Sequence, residues 1–158
     1  MIKKAQILTA LIFVLCGMTE AKAVNISTIT DKESYLLGEE VVVSVIAYNP
    51  DLNPVTLNFA TSLQASYLMD GVYDWSEGKF FTQFPTRVTI GPYGSYTWDL
   101  THGPTEMEAY PLEIGAHTVV GEVLGYGYSS TIQFQVIPEP ATILLLTLGG
   151  LLLTSRRR

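Results

Sequence analysis

Apolar and polar residues alternate along much of the chain between Val24 and Ile137. The alternation is clean in residues 55–59, 95–100 and 131–136. A period of two puts one face of the chain against a core and the other in water, which predicts strands of an antiparallel sheet. No stretch of about 11 residues in this region has the period of a helix.

Two further runs, residues 40–48 and 117–124, are nearly continuous in apolar and β-branched residues and are predicted as central strands. Gly121 is predicted to form a bulge in the second. Gly, Pro and Asn pairs separate these runs at intervals typical of a β-sandwich of seven to nine short strands. Residues 101–112 form the longest predicted irregular connection. The predicted fold class is therefore all-β, an antiparallel sandwich.

The N-terminal residues have the pattern of an export signal. Two lysines precede an apolar stretch at residues 7–18, and Ala21 and Ala23 supply the small residues that signal peptidase accepts. Residues 1–23 are therefore predicted to be a signal peptide cleaved after Ala23. Cys16 follows Leu15 instead of the small residue that lipoprotein processing needs, so it is assigned to the discarded signal. The mature chain then contains no cysteine.

The C-terminal residues carry a more specific pattern. Pro138, Glu139 and Pro140 precede an apolar run at residues 141–154, and three arginines end the chain. As a helix that run is about 21 Å long, against a hydrocarbon core of about 30 Å. The arginines would keep the tail in the cytoplasm and the domain outside. A plain membrane anchor with a Pro-rich stalk is the alternative interpretation.

This arrangement resembles the PEP-CTERM sorting signal, and the resemblance covers residues 137–158. It implies processing by signal peptidase and by an exosortase, a membrane transpeptidase-like enzyme, with the inner membrane holding the chain transiently. Pro138, Glu139 and Pro140 are then recognition residues. The implied host is a Gram-negative bacterium that makes exopolysaccharide, and the implied location is the cell surface or extracellular matrix.

Charge divides the chain in the same way as hydropathy. Of 158 residues, 47% are hydrophobic and 15% are charged, and the formal net charge is −6. Between Val24 and Ile137 there are three basic and thirteen acidic residues, a net charge of −10. Clustered Lys and Arg are absent from this part of the sequence, which argues against a nucleic-acid partner.

The middle region also resembles a known family. Its sharpest motif is Trp75-Ser-x-Gly-x-Phe-x-x-Gln83, and the Gly91-Pro92 turn with Tyr96 and Trp98 adds to it. These residues are similar to the BsuPI family, named for an intracellular proteinase inhibitor of bacilli. The resemblance implies an immunoglobulin-like β-sandwich over residues 24–136. The turn before Tyr96 departs from the family pattern, so inhibitor function is not transferred residue by residue.

Candidate chemistry in the sequence is sparse. His102 and His117 have no flanking catalytic motif, and the sequence contains no nucleophile elbow, HExxH or phosphate loop. Asp70 and Asp74 beside Trp75 suggest a sugar-active enzyme as a minor alternative. Asn49, Asp51 and Asn53 match no full calcium loop. We expect no catalytic residue, no metal site and no cofactor.

Aromatic residues are the more suggestive group. Trp75, Phe81, Tyr126 and Tyr128 are predicted as partner-contact residues because exposed rings stack on sugars or anchor proteins. The sequence thus predicts a non-enzymatic exported surface or matrix protein whose sandwich is a binding or structural module. The alternative is a proteinase inhibitor that acts through residues 77–85 or 101–112. The partner is accordingly expected to be an exopolysaccharide or a protease.

Overall fold

The computed structural model describes residues 24–140, and these residues form two facing β-layers. The elements, in chain order, are β1 Asn25–Thr30, β2 Ser34–Leu36, β3 Val41–Tyr48, β4 Val55–Phe59, β5 Ala65–Met69, β6 Tyr73–Asp74, β7 Thr86–Ile90, β8 Ser95–His102, α1 Pro104–Ala109, β9 Gly115–Val123, β10 Gly127–Tyr128 and β11 Ile132–Ile137. Within the described range, eight strands have five or more residues, which agrees with the predicted seven to nine.

One layer contains the sheet β1-β3-β8, and the other contains β2-β11-β9-β5-β6 with β10 paired to β9. Strands β4 and β7 form a separate two-stranded ribbon. The pairings are antiparallel except that between β2 and β11, which is parallel. The parallel pair arises because the chain leaves β1 in one sheet and, after a short connection, joins the other sheet as β2. The all-β, immunoglobulin-like sandwich class is confirmed.

The core lies between the inward faces of the two layers. Strand β3 buries every second residue from Val41 to Ala47, and β4 buries Val55, Leu57 and Phe59, as their alternation predicts. From the opposite sheet, Tyr35, Tyr67 and Phe134 contribute the large buried rings. Each buried Val, Leu or Phe side chain stabilises the fold by about 1.5–3 kcal/mol, which makes this alternation the main determinant of the sandwich.

The prediction of a bulge at Gly121 is wrong. Strand β9 pairs with β5 in unbroken register through Gly121, which lies opposite Tyr67. A Cβ atom built on Gly121 would lie 2.1 Å from Thr28 Oγ1 and 2.8 Å from a Val45 methyl carbon. Glycine occupies this position because the two sheets approach each other closely there.

The predicted irregular connection at residues 101–112 is also corrected. It contains the last two residues of β8 and the six-residue helix α1. Pro104 is the first helical residue, where its missing N–H has no cost. Glu106 accepts the Gly103 N–H at 3.1 Å and so satisfies a free donor at the start of the helix.

The predicted signal peptide with Ala21 and Ala23, and the predicted apolar helix with its arginine tail, lie outside the described residues. Within residues 24–140, no helix has the length and apolarity needed to cross a bilayer.

Candidate functional site

The most exposed aromatic side chains of the described residues lie in residues 79–85, which we call the aromatic loop. It connects the turn after β6 to β7 and contains no helix or strand. The Phe80 side chain is fully exposed, and that of Phe84 is 76% exposed. Large apolar side chains in water are costly, and clustered ones are typical of contact surfaces. The aromatic loop is therefore the strongest candidate for a site of partner contact.

The aromatic loop is held at its first residue. The Lys79 ammonium group forms an ion pair with Glu106 of α1 and lies 4.0 Å from the centre of the Trp75 ring. Burial raises the pKa of Glu106, but the bond from Lys79 and the backbone N–H bonds together outweigh it and leave that pKa below its usual value. The charged pair therefore ties the loop to the helix at neutral pH.

The loop is held again at its centre and at its end. Thr82 accepts a hydrogen bond from the Ser62 N–H at 3.0 Å and donates its own N–H to the Ser62 hydroxyl at 2.9 Å. The Thr86 hydroxyl donates to the Thr61 carbonyl at 2.7 Å. Phe80 and Phe84 are thus presented on backbone that is already fixed, which lowers the entropy lost when a partner binds.

Two of the predicted contact residues support this loop. The Trp75 indole N–H donates to the Thr101 carbonyl at 3.0 Å, and its ring is half-buried against Tyr67. Phe81 is half-buried, with its ring centroid 6.4 Å from that of Trp75. Trp75 and Phe81 therefore form the platform under the loop, and the outward rings are Phe84 and Phe80, which is the phenylalanine of the Trp75 motif.

The other two predicted contact residues lie on the β9–β10 hairpin. The half-buried Tyr126 ring packs on Phe59, and its hydroxyl accepts the Asn58 N–H at 2.6 Å. Tyr128 is 67% exposed and lines a cavity of about 100 Å³ with Asp74 and Glu122. The structure therefore does not bring these two tyrosines into the aromatic loop.

His102 is fully buried at the end of β8. Its Nε2 donates to the Tyr110 carbonyl at 2.9 Å, and its Nδ1 accepts the Tyr67 hydroxyl at 3.0 Å. Burial lowers the pKa of His102, and the Tyr110 carbonyl offsets this only in part. The imidazole is therefore neutral, and both of its nitrogens are occupied within the core.

His117 is arranged in the opposite way. Its Nδ1 donates to Asp70 Oδ2 at 2.6 Å and its Nε2 donates to the Glu113 carbonyl at 2.7 Å. Two donating nitrogens define the protonated ring. Burial lowers the pKa of His117, but the bonds to Asp70 and Glu113 outweigh it and raise that pKa above its ordinary value. With no free nitrogen, this imidazole cannot act as a base for a hydroxyl nucleophile.

Both aspartates that suggested a sugar-active enzyme accept hydrogen bonds from neighbouring residues. Asp70 also accepts the Thr118 N–H at 2.6 Å and the Tyr110 hydroxyl at 3.0 Å, and Asp74 accepts the Ser66 and Ser76 hydroxyls. Burial raises the pKa of each carboxyl, but these bonds outweigh it and lower both pKa values. A glycosidase acid needs a raised pKa, so neither group is tuned to donate a proton.

Asn49, considered above as a calcium ligand, is buried and bonded to backbone. Its amide donates to the carbonyls of Asn53 and Gly91, each at 2.9 Å, and its side-chain oxygen accepts the Asp51 N–H. Among residues 24–140, no group of three or more His, Cys, Asp or Glu side chains is placed to hold a metal ion.

The predicted sorting motif follows β11 without an intervening loop. Pro138 is half-buried, and Glu139 and Pro140 are exposed. Glu139 and Pro140 are therefore open to solvent directly after the last strand of the sandwich.

Two family models match the chain. The model for BsuPI, described as intracellular proteinase inhibitor, matches residues 28–127. The model for the PEP-CTERM protein-sorting motif matches residues 136–158. No curated protein matches the sequence.

Several solved structures have similar folds at low identity. The alkylpurine DNA glycosylase AlkC of Pseudomonas fluorescens is 17% identical, with a TM-score of 0.45 over 72% of this chain and 30% of that chain. A β-glucosidase of Erythrobacter marinus is 11% identical, with a TM-score of 0.44 over 72% of this chain and 16% of that chain. The CARDB domain of PF1109 from Pyrococcus furiosus is 10% identical, with a TM-score of 0.45 over 73% of this chain and 94% of that chain. This chain spans less than a third of the first two proteins, and none of the three similarities bears on its activity.

Proposed function

Since the chain belongs to the BsuPI family, whose model covers residues 28–127, and carries a PEP-CTERM sorting signal, we propose that it is a non-enzymatic surface or matrix protein that binds a protein partner through the aromatic loop. The sorting signal marks an exported protein that an exosortase processes. The sandwich would then act outside the cell, although the description of its family is intracellular.

The proposal rests on one observation: the aromatic loop has exposed phenylalanine rings on a backbone that hydrogen bonds hold in place. Phe80 and Phe84 face solvent on backbone tied to Ser62 and Thr61, and Lys79 is tied to α1. Rigid aromatic anchors of this kind supply much of the binding energy at protein interfaces.

The charge of the domain favours a protein over an exopolysaccharide. The net charge of −10 between Val24 and Ile137 would repel an anionic polymer. Phenylalanine also lacks the hydroxyl or indole N–H that would bond to a sugar. Binding of a neutral exopolysaccharide through the aromatic loop would contradict the proposal.

The test places a photo-crosslinking phenylalanine at position 80 of the full chain in the native host. We expect a discrete protein adduct that is lost in Phe84→Ala. The matched control carries the crosslinker at Gln133, an exposed position on β11, and should give no adduct. Adducts with carbohydrate, or equal adducts at both positions, would contradict the proposal.

Family membership supports a second candidate, inhibition of a proteinase by the same loop. A protease cleft accepts chain that is free of helix, which holds for the aromatic loop and not for residues 101–112, since these contain α1. Assays against subtilisin-type proteases decide between the two. Inhibition by the full chain at nanomolar concentration that disappears in Phe80→Ala would establish an inhibitor.

A further inference from the structure

The larger sheet has an apolar end. The chain leaves the sheet there, at the last residue of β11, and continues into the sorting motif. The last residue of β11, Ile137, lies opposite Leu36 of β2. On the other side of β11, Val136 lies opposite Gly115, which places Ile114 beside Ile137. The Leu37 N–H donates to the Ile137 carbonyl at 3.0 Å. We call Leu36, Leu37, Ile114 and Ile137 the apolar rung.

All four side chains of the apolar rung are exposed, by 38% to 54%. Burial alternates along β11, with Phe134 and Val136 inward, so Ile137 lies on the outer face of the sheet. Two residues earlier on that face, Gln135 lies opposite Ser34. The outer face therefore changes from polar to apolar at its last row, where the chain departs.

The linker to the C-terminal apolar run is short. Only Pro138, Glu139 and Pro140 separate Ile137 from the run that begins at residue 141. Three extended residues span at most about 10 Å. The headgroup layer on one side of a bilayer is about 5–8 Å thick. While the C-terminal run is in the membrane, the apolar rung must therefore lie close to the lipid headgroups.

We infer that the apolar rung inserts into the interfacial layer of the bilayer on the exported side before exosortase processing. Its four side chains exchange water for the boundary between headgroups and acyl chains, which favours an amphipathic surface. The contact is apolar and not ionic, since Glu113 and Glu139 adjoin it and the domain is acidic. This contact orients the sandwich on the membrane and keeps Pro138 to Pro140 at the membrane surface.

The experiment uses the full chain with Cys16→Ser, reconstituted in phosphatidylcholine vesicles that contain nitroxide-headgroup phosphatidylcholine. A single cysteine at Ile114→Cys carries an environment-sensitive fluorophore. The matched control is Gln133→Cys, on the same outer face and four residues from the end of β11, about 13 Å away. We expect quenching at position 114 to exceed that at 133 about threefold, as for a side chain at the headgroup boundary.

Adding Leu36→Gln, Leu37→Gln and Ile137→Gln should reduce quenching at position 114 to the value at 133. Leu37→Gln alone, in a turn, should reduce it in part if the triple variant does not fold. Equal quenching at 114 and 133 in the parent, or quenching that no Gln variant reduces, would overturn the inference. Protection of position 114 only when exosortase is reconstituted with the chain would assign the surface to that enzyme instead.

Discussion

At the scale of single residues, the two histidines have opposite protonation states for a structural reason. His102 donates one hydrogen bond and accepts one inside the core, so it is neutral. His117 donates two, to a carboxylate and a carbonyl, so it is charged. Their sequence neighbourhoods give no sign of this difference, because Tyr67, Asp70 and Tyr110 reach them from other elements.

Protein stability is therefore expected to depend on the charge of His117. Because its pKa is raised on folding, the Asp70–His117 contribution is fully present below the unfolded value of about 6.5 and is lost as pH rises through the folded pKa. The pKa of His102 is lowered, so its contribution is present above about 6.5 and is lost at lower pH. Above pH 6.5 the pH dependence thus reports mainly His117.

We predict that His117→Gln lowers the free energy of unfolding by about 1.5–3 kcal/mol at pH 6.5, the range for hydrogen bonds to charged groups. The decline in stability of the parent above pH 6.5 should disappear in this variant. Urea unfolding from pH 6 to 9 measures both effects. Asp70→Asn should flatten the same decline, and an unchanged decline in either variant would contradict the assigned ion pair.

At the scale of elements, the close approach of the two sheets at Gly121 is set by neighbours on β1 and β3. The Thr28 hydroxyl donates to the Ser129 hydroxyl at 2.8 Å, and Ser129 Oγ accepts the Gly121 N–H at 3.0 Å. A methyl group at Gly121 would displace Thr28 from this network and press on Val45.

Gly121→Ala is accordingly predicted to destabilise the domain by about 1–3 kcal/mol, the usual cost of overpacking a core. The matched control is Gly91→Ala, because no atom lies within 4 Å of the position of its Cβ. Thermal unfolding of both variants gives the comparison. Equal melting temperatures would show that the sheets separate at little cost.

The platform under the aromatic loop gives a second prediction at this scale. Trp75→Phe keeps an aromatic ring, although a smaller one, and removes the indole N–H that the Thr101 carbonyl accepts. We expect the free energy of unfolding to fall by about 1 kcal/mol. Hydrogen exchange at the backbone N–H of Thr82 should also become faster. Phe80→Ala should change neither quantity because that ring makes no buried contact. If the Thr82 N–H still exchanged slowly in Trp75→Phe, the hydrogen bond from Trp75 to Thr101 would not be needed to hold the loop.

At the scale of the whole molecule, the terminal segments that direct export and sorting are basic and apolar, whereas the folded domain between them is acidic. The acidic sandwich belongs to the BsuPI family, and the C-terminal residues belong to the sorting signal. The sorting motif Pro138-Glu139-Pro140 directly follows Ile137, the last residue of β11. The fold of the sandwich therefore fixes where the motif begins.

We predict that exosortase processing removes the C-terminal arginines. Mass spectrometry of the surface fraction should then find peptides of the sandwich but no peptide ending at Arg158. Glu139→Gln is expected to leave the intact chain in the inner membrane, whereas the neighbouring surface variant Gln133→Asn should be processed normally. An intact Arg158 peptide in the surface fraction of the parent would contradict this prediction.

The sequence by itself determined the strands and the sorting signal, since period-two burial and the order of Pro138, the apolar run and the arginines are local properties of the chain. Only the tertiary structure decided the roles of Gly121, Trp75 and His117, because each depends on atoms supplied by a distant element. Trp75 and Phe81 are aromatic residues in a loop by sequence, yet Thr101 and the core turn them inward and leave Phe80 and Phe84 in water. The apolar rung likewise exists only because register brings Leu36, Ile114 and Ile137 to the same end of one sheet.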